Sequence, residues 1–205
     1  MCTAICETGK LARLLLTCLA VLLLLFIVGC DQVVSEEARQ RFQSRSGAFV
    51  VTVYPIHVVT GDHVVHDKEL ARRLAVFLRS SHLADPEIAS KPVDKPAYRS
   101  ASETERIRLN ARHLERAVKR TDLGTDYALM AEIVCNREET RVLGVYFYLA
   151  DRFGRIASAR MANKHHRQFQ QIQPRDRDGG FLVLTEMIRE GWISENAADR
   201  SPPAE

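Results

Sequence analysis

Between residues 48 and 192 the hydrophobic positions of this chain recur now every second residue and now every three to four, and each change of period marks an element. Residues 48–59, AFVVTVYPIHVV, are rich in β-branched and aromatic side chains and predict a first strand, with Pro55 imposing a bend or an unpaired edge near its end. Gly61-Asp62 breaks it. Asp67 then caps a helix that sets Leu70, Leu74, Phe77 and Leu78 on one face and turns Arg72, Arg73 and Arg79 to water, ending near residues 80–82. Pro86, Pro92 and Pro96 follow, so residues 87–93 hold at most a short strand and residues 94–100 are loop.

Ser102-Glu103-Thr104-Glu105 has the form of a capping box and opens a second helix. Its apolar stripe is Ile107, Ala111, Leu114 and Val118, while Arg106, Arg108, Arg112, Arg116, Lys119 and Arg120 crowd the remaining surface, which is expected to be a solvated face. Three antiparallel strands come next, at residues 127–135, 142–150 and 155–165, the last two joined by Asp151-Arg152-Phe153-Gly154, whose glycine suits positive φ. In the middle strand Val145, Phe147 and Leu149 face a core, and Gly144, Tyr146 and Tyr148 face a partly covered side. A final helix from Asp178 or Gly179 carries Phe181, Leu184, Thr185 and Ile188, and Trp192 closes it. The order β-α-β-α-β-β-β-α predicts an α/β (α+β mixed) domain: a single mixed sheet of about five strands with an antiparallel three-strand meander, packed by about three helices.

The N-terminus follows a different rule. Lys10 and Arg13 precede an uncharged apolar run over residues 14–28, and small Gly29 stands before Cys30, the layout of a secretory signal ending at a cleavage site. Ile27-Val28-Gly29-Cys30 resembles the lipobox of bacterial lipoproteins. That resemblance implies cleavage between Gly29 and Cys30, lipidation of Cys30, and a bilayer as first partner, on the periplasmic face of a bacterial cell membrane. Asp31 resembles a sorting residue that retains lipoproteins in the inner membrane. An uncleaved short span, reaching back to Leu11 with Arg13 snorkelling, is the alternative. Residues 1–29 are thus a signal peptide, 30–47 a polar lipidated tether or frayed helix, 48–192 the domain, and 193–205 a flexible tail.

Composition narrows the chemistry. The net charge of +3 over 205 residues carries no nucleic-acid footprint. Of the five cysteines, Cys2, Cys6 and Cys18 fall in the signal and Cys30 in the lipobox. Cys135 remains alone in an apolar run, where it cannot form an intramolecular disulfide and is expected to be an inert buried thiol. No G-x-S-x-G, S-x-x-K or H-E-x-x-H pattern occurs, so neither a catalytic residue nor a cofactor is assigned. His57, His63 and His66, beside Asp62 and Asp67, are the candidate metal set, although their spacing matches no closed zinc site and loop histidines are the plainer reading; His165-His166, beside Lys164 and Arg167, reads as a basic strand end rather than a metal site.

The segments FVVTVYPIHVVTGD, TDYALMAEI and VYFYLADRFGRI, in this order, resemble a group of periplasmic α/β domains. The group includes the N-terminal domain of the Tol-system translocation protein, the curli-secretion lipoprotein, and the lipoprotein activators of penicillin-binding proteins. The resemblance spans roughly residues 48–192, departs from the group's pattern in the proline-rich stretch 84–97, and implies a non-enzymatic accessory or assembly factor that binds another envelope protein. Two other functions stay open at this point: a metal-binding or hydrolytic domain built on His57, His63 and His66, and a structural lipoprotein that self-associates through an exposed strand.

Overall fold

The computed structural model describes residues 33–45, 47–98, 101–121 and 123–197, with side chains through Trp192. The run 14–28 and Gly29, Cys30 and Asp31 lie outside them. The elements are α1 (Glu36–Gln43), β1 (Val50–Val53), β2 (Ile56–Thr60), β3 (His63–Asp67), α2 (Lys68–Ser80), β4 (Asp85–Ile88), α3 (Glu103–Arg120), β5 (Tyr127–Cys135), β6 (Val142–Asp151), β7 (Ile156–Asn163), α4 (Arg167–Ile172) and α5 (Arg177–Ala197). Among the described residues no helix is long and apolar enough to cross a membrane.

One mixed sheet of seven strands organises the domain. β1 and β2 both run parallel to β5 along the same edge, β1 against its first half and β2 against its second. Outside them lie β4, parallel to β1, and β3, antiparallel to β2. β6 and β7 extend the other side as an antiparallel meander. Seven strands therefore occupy five positions, which reconciles the sheet with the five expected from the pattern.

Of the two outcomes expected at Pro55, the structure shows the bend: Pro55 sits in the interior of this sheet at a bulge, not at an unpaired edge. Val53 pairs with Leu129 and His57 with Glu132, so four steps along the first chain match three along β5. The extra residue resets the side-chain alternation. Val51 and Val53 before it, and Ile56 and Val58 after it, all enter the main core, which leaves His57 on the opposite face.

That main core is closed by α2 through Leu70, Leu74 and Leu78, by α5 through Phe181, Leu184, Ile188 and Trp192, and by α1 through Ala38 and Phe42. The second face is covered by α3, whose Ala111, Leu114 and Val118 meet Met130, Tyr146 and Tyr148. Tyr146 and Tyr148 are buried, not partly covered, because α3 lies over them.

Further corrections follow. β4 begins before the expected segment and includes Pro86; the amides of Asp85 and Ala89 bond to Phe49 and Val53, so the missing donor falls at an edge position. The Gly61-Asp62 break is a two-residue hairpin turn, with Gly61 at φ +58°, that returns the chain as β3. Residues 36–43, expected as tether or frayed helix, form α1, and Phe42 is wholly buried among Phe49, Tyr127 and Trp192, with ring centroids 5.4–5.8 Å away. Ser35 caps α1, and its amide bonds to the Ile156 carbonyl at 2.8 Å, tying the helix to β7. At the other end α5 continues to Ala197, into the segment expected to be loose.

Candidate functional site

β5 carries one carboxylate in a nine-residue run of otherwise apolar or small side chains, and that carboxylate organises the second face. Glu132 is completely buried. A lone charge in that position costs several kcal/mol unless cations and donors meet it. Lys95 Nζ lies 2.7 Å from Oε2 and Arg106 Nη1 2.7 Å from Oε1, while the Asn110 amide donates to Oε2 and, at 3.3 Å, to the Tyr148 hydroxyl. The fold brings these groups from four elements: β5, β6, α3 and the proline-rich loop.

The loop, residues 89–98, acts as a strap across the sheet. Lys95 plugs it into Glu132. The His57 ring donates to the Val93 carbonyl at 3.1 Å, His113 to the Asp94 carbonyl at 2.7 Å, and Arg106 to the Tyr98 carbonyl. Val93 fills the layer beneath at 1% exposure. The departure of residues 84–97 from the resembled group thus corresponds to a short edge strand followed by a latched strap.

Electrostatics inside the cluster follow from its geometry. Burial pushes the Glu132 carboxyl upward, but Lys95 and Arg106 outweigh it and hold the group below the usual carboxylate range. Burial, reinforced by the Lys95 charge, pushes His57 down to about 3, so its ring is neutral. Tyr148 is raised well above the ordinary phenol value, by burial and then by Glu132. Both carboxylate oxygens of Glu132 are engaged, which makes it a fastener for the strap rather than an accessible base. Within the described residues the His57 Nδ1, Tyr98 hydroxyl and Asn110 Oδ1 atoms are buried without a hydrogen-bond partner.

The histidines of the candidate metal set are divided by the hairpin. His57 and His66 are cross-strand partners with ring centroids 4.9 Å apart, whereas His63 stands opposite Thr60, three positions from His66 and so on the other face of β3. Asp67 caps α2 through the Leu70 amide and meets Arg177 at 3.2 Å. Among the described residues no group of three or more His, Cys, Asp or Glu side chains is placed to hold a metal ion. Cys135 is buried and its thiol is pushed up to about 11 by burial and by Glu139 and Asp176, which keeps it protonated.

Lys95, Arg106, Asn110, Glu132 and Tyr148 were not legible as a set. Arg106, expected on a solvated face, is 8% exposed and corrects that reading. The signal that points to it is the isolated glutamate in YALMAEIVC, since a charge at the centre of a buried strand requires a cation from elsewhere.

No family model and no curated protein matches this chain. Several solved structures show a slight likeness. One is the LpoB C-terminal domain from Salmonella enterica, at 13% identity over 63% of this chain and 93% of that one, with a TM-score of 0.36. Another is a PelC dodecamer from Paraburkholderia phytofirmans, at 20% identity over 60% and 82% of the two chains, with a TM-score of 0.29. At these scores neither bears on mechanism.

Proposed function

We propose that this protein is a non-catalytic envelope lipoprotein, held at a bacterial membrane by acylated Cys30, whose α/β domain binds another envelope protein as an accessory or assembly factor. The observation that carries the reading is the apolar run 14–28 closed by Gly29-Cys30 and followed almost at once by a folded body, with Ser35 already capping α1. Only Asp31, Gln32, Val33 and Val34 separate the lipid-bearing position from that cap, a reach of at most about 18 Å. With α1 already formed at Glu36, the flexible part of the tether expected over residues 30–47 is read as a short leash, and a partner is met close to the bilayer. Asp31 favours the inner membrane.

Two features favour binding over chemistry. The buried Glu132 carboxylate has both oxygens taken up by Lys95, Arg106 and Asn110, and the sole described cysteine is a protonated buried thiol. The resemblance to periplasmic lipoprotein activators and secretion factors points the same way. In-cell crosslinking followed by affinity capture from solubilised envelope tests the reading. A specific envelope protein should be enriched from the native chain and lost from Cys30→Ser; recovery of no protein above background from the native chain contradicts it.

A further inference from the structure

A cleft lies at the end of the sheet away from α1, between the β5–β6 loop, the start of β6, α4 and the linker to α5. Its volume is about 740 Å³, in the range of sites that enclose small molecules. Arg141, Lys164 and Arg175 line it, and no carboxylate does. Several other surface cations among the described residues are paired, as Arg41, Arg73, Arg155, Arg167 and Arg189 are with glutamates or aspartates. The three charged groups of the cleft have no ion pair or side-chain hydrogen bond with any described residue. Carboxylates in the adjoining segments are hydrogen-bonded elsewhere: Glu138 to the Asn136 amide, Glu139 to the Thr60 hydroxyl and Asp176 to the Gly179 amide.

The walls are built rather than loose. Asn136 Oδ1 accepts from the amides of Thr140 and Arg141, each at 2.9 Å, which fixes the β5–β6 loop. The Val142 amide reaches the Pro174 carbonyl at 3.4 Å and joins that loop to the opposite wall. Gln173 takes φ +49° as the left-handed cap that ends α4, its amide bonding the Phe169 carbonyl at 2.9 Å. The Gln173 side-chain amide is without a partner among the described residues, and Gln170 commits only its NH2 group, to the Lys164 carbonyl at 3.3 Å.

We propose that this cleft binds an anionic saccharide. Guanidinium groups match carboxylate or phosphate oxygens in pairs, and side-chain amides supply both the donors and the acceptors that sugar hydroxyls demand. An acidic peptide would look for apolar anchor pockets or a strand edge, and the apolar floor here is closed, with Val142 at 1% and Phe169 at 7% exposure. The site is independent of the anchor and of any protein partner.

Calorimetric titration of the full-length protein in detergent tests it, using trigalacturonate, phosphorylated maltotriose, neutral maltotriose, triglutamate and inorganic phosphate as probes. Saturable binding of at least one anionic saccharide is expected, the carboxylate and phosphate arms identifying which acid the site prefers. Binding should fall about tenfold when Arg141→Gln, Lys164→Gln and Arg175→Gln are combined, with unfolding temperature unchanged because all three side chains are exposed. The proposal is overturned if neither anionic saccharide binds, if maltotriose, triglutamate or phosphate binds as well, or if the folded triple variant binds undiminished.

Discussion

The Lys95 ammonium stands 2.7 Å from a Glu132 oxygen, with both side chains wholly removed from water. The two residues are far apart in the chain, and the pair fastens the strap to the sheet. Replacing Glu132 by Gln keeps the shape but leaves Lys95 and Arg106 buried without a counter-charge. The expected cost is about 3–5 kcal/mol in denaturant unfolding, together with faster hydrogen exchange at the strap amides. A loss under about 1 kcal/mol, well below the usual cost of breaking a buried pair, or exchange unchanged over residues 89–98, contradicts the fastening role.

Acid should loosen the same region. A neutral His57 has its folded value at about 3 against an ordinary 6.5, so between those pH values the unfolded chain binds more protons than the folded one. Stability contributed by the neutral ring is present above pH 6.5 and is lost as pH falls toward 3. His66, lowered by burial, acts with the same sign, and Glu132, held low by its cations, adds its loss only in stronger acid. Unfolding free energy should fall by up to about 1.4 kcal/mol per unit from about pH 6.5 to about pH 5 on account of His57. His57→Gln should flatten that slope; an identical slope in the variant removes His57 as its source.

Phe42 is the anchor of α1, and Phe42→Ala should cost about 3–5 kcal/mol by opening a void among Phe49, Tyr127 and Trp192. Limited proteolysis should then cut within residues 36–45 before the rest of the domain yields. If the variant unfolds at the native temperature and resists cleavage there, residues 36–43 behave as tether after all.

What was legible in the chain was what one period controls. β5 runs over Tyr127–Cys135 as expected because its side chains other than Glu132 are apolar or small on both faces, and α2 starts at the Asp67 cap, whose carboxylate accepts from the Leu70 amide. The Glu132 cluster was hidden for a physical reason. Arg106 and Asn110 lie four apart beside the stripe of Ile107, Ala111, Leu114 and Val118, and periodicity does not distinguish a polar stripe facing water from one facing a buried carboxylate. α1 was obscured because Ala38 and Phe42 are its only buried side chains. β3, HVVHD, sits at the sheet's edge with its side chains mostly exposed, so no alternation marks it. Pro55 left a bend and an edge both open in the sequence, and the bulge takes the bend, beside Tyr54, whose amide still bonds Leu129 at 3.0 Å.

The most direct test of the proposed anchoring is metabolic labelling of the chain in a bacterial host with an alkyne-bearing palmitate, followed by mass spectrometry of the mature N-terminus. A labelled protein that begins at Cys30 is the expected product, with both the label and the cleavage lost in Cys30→Ser. An unlabelled protein that keeps residues 1–29 would contradict the lipoprotein reading.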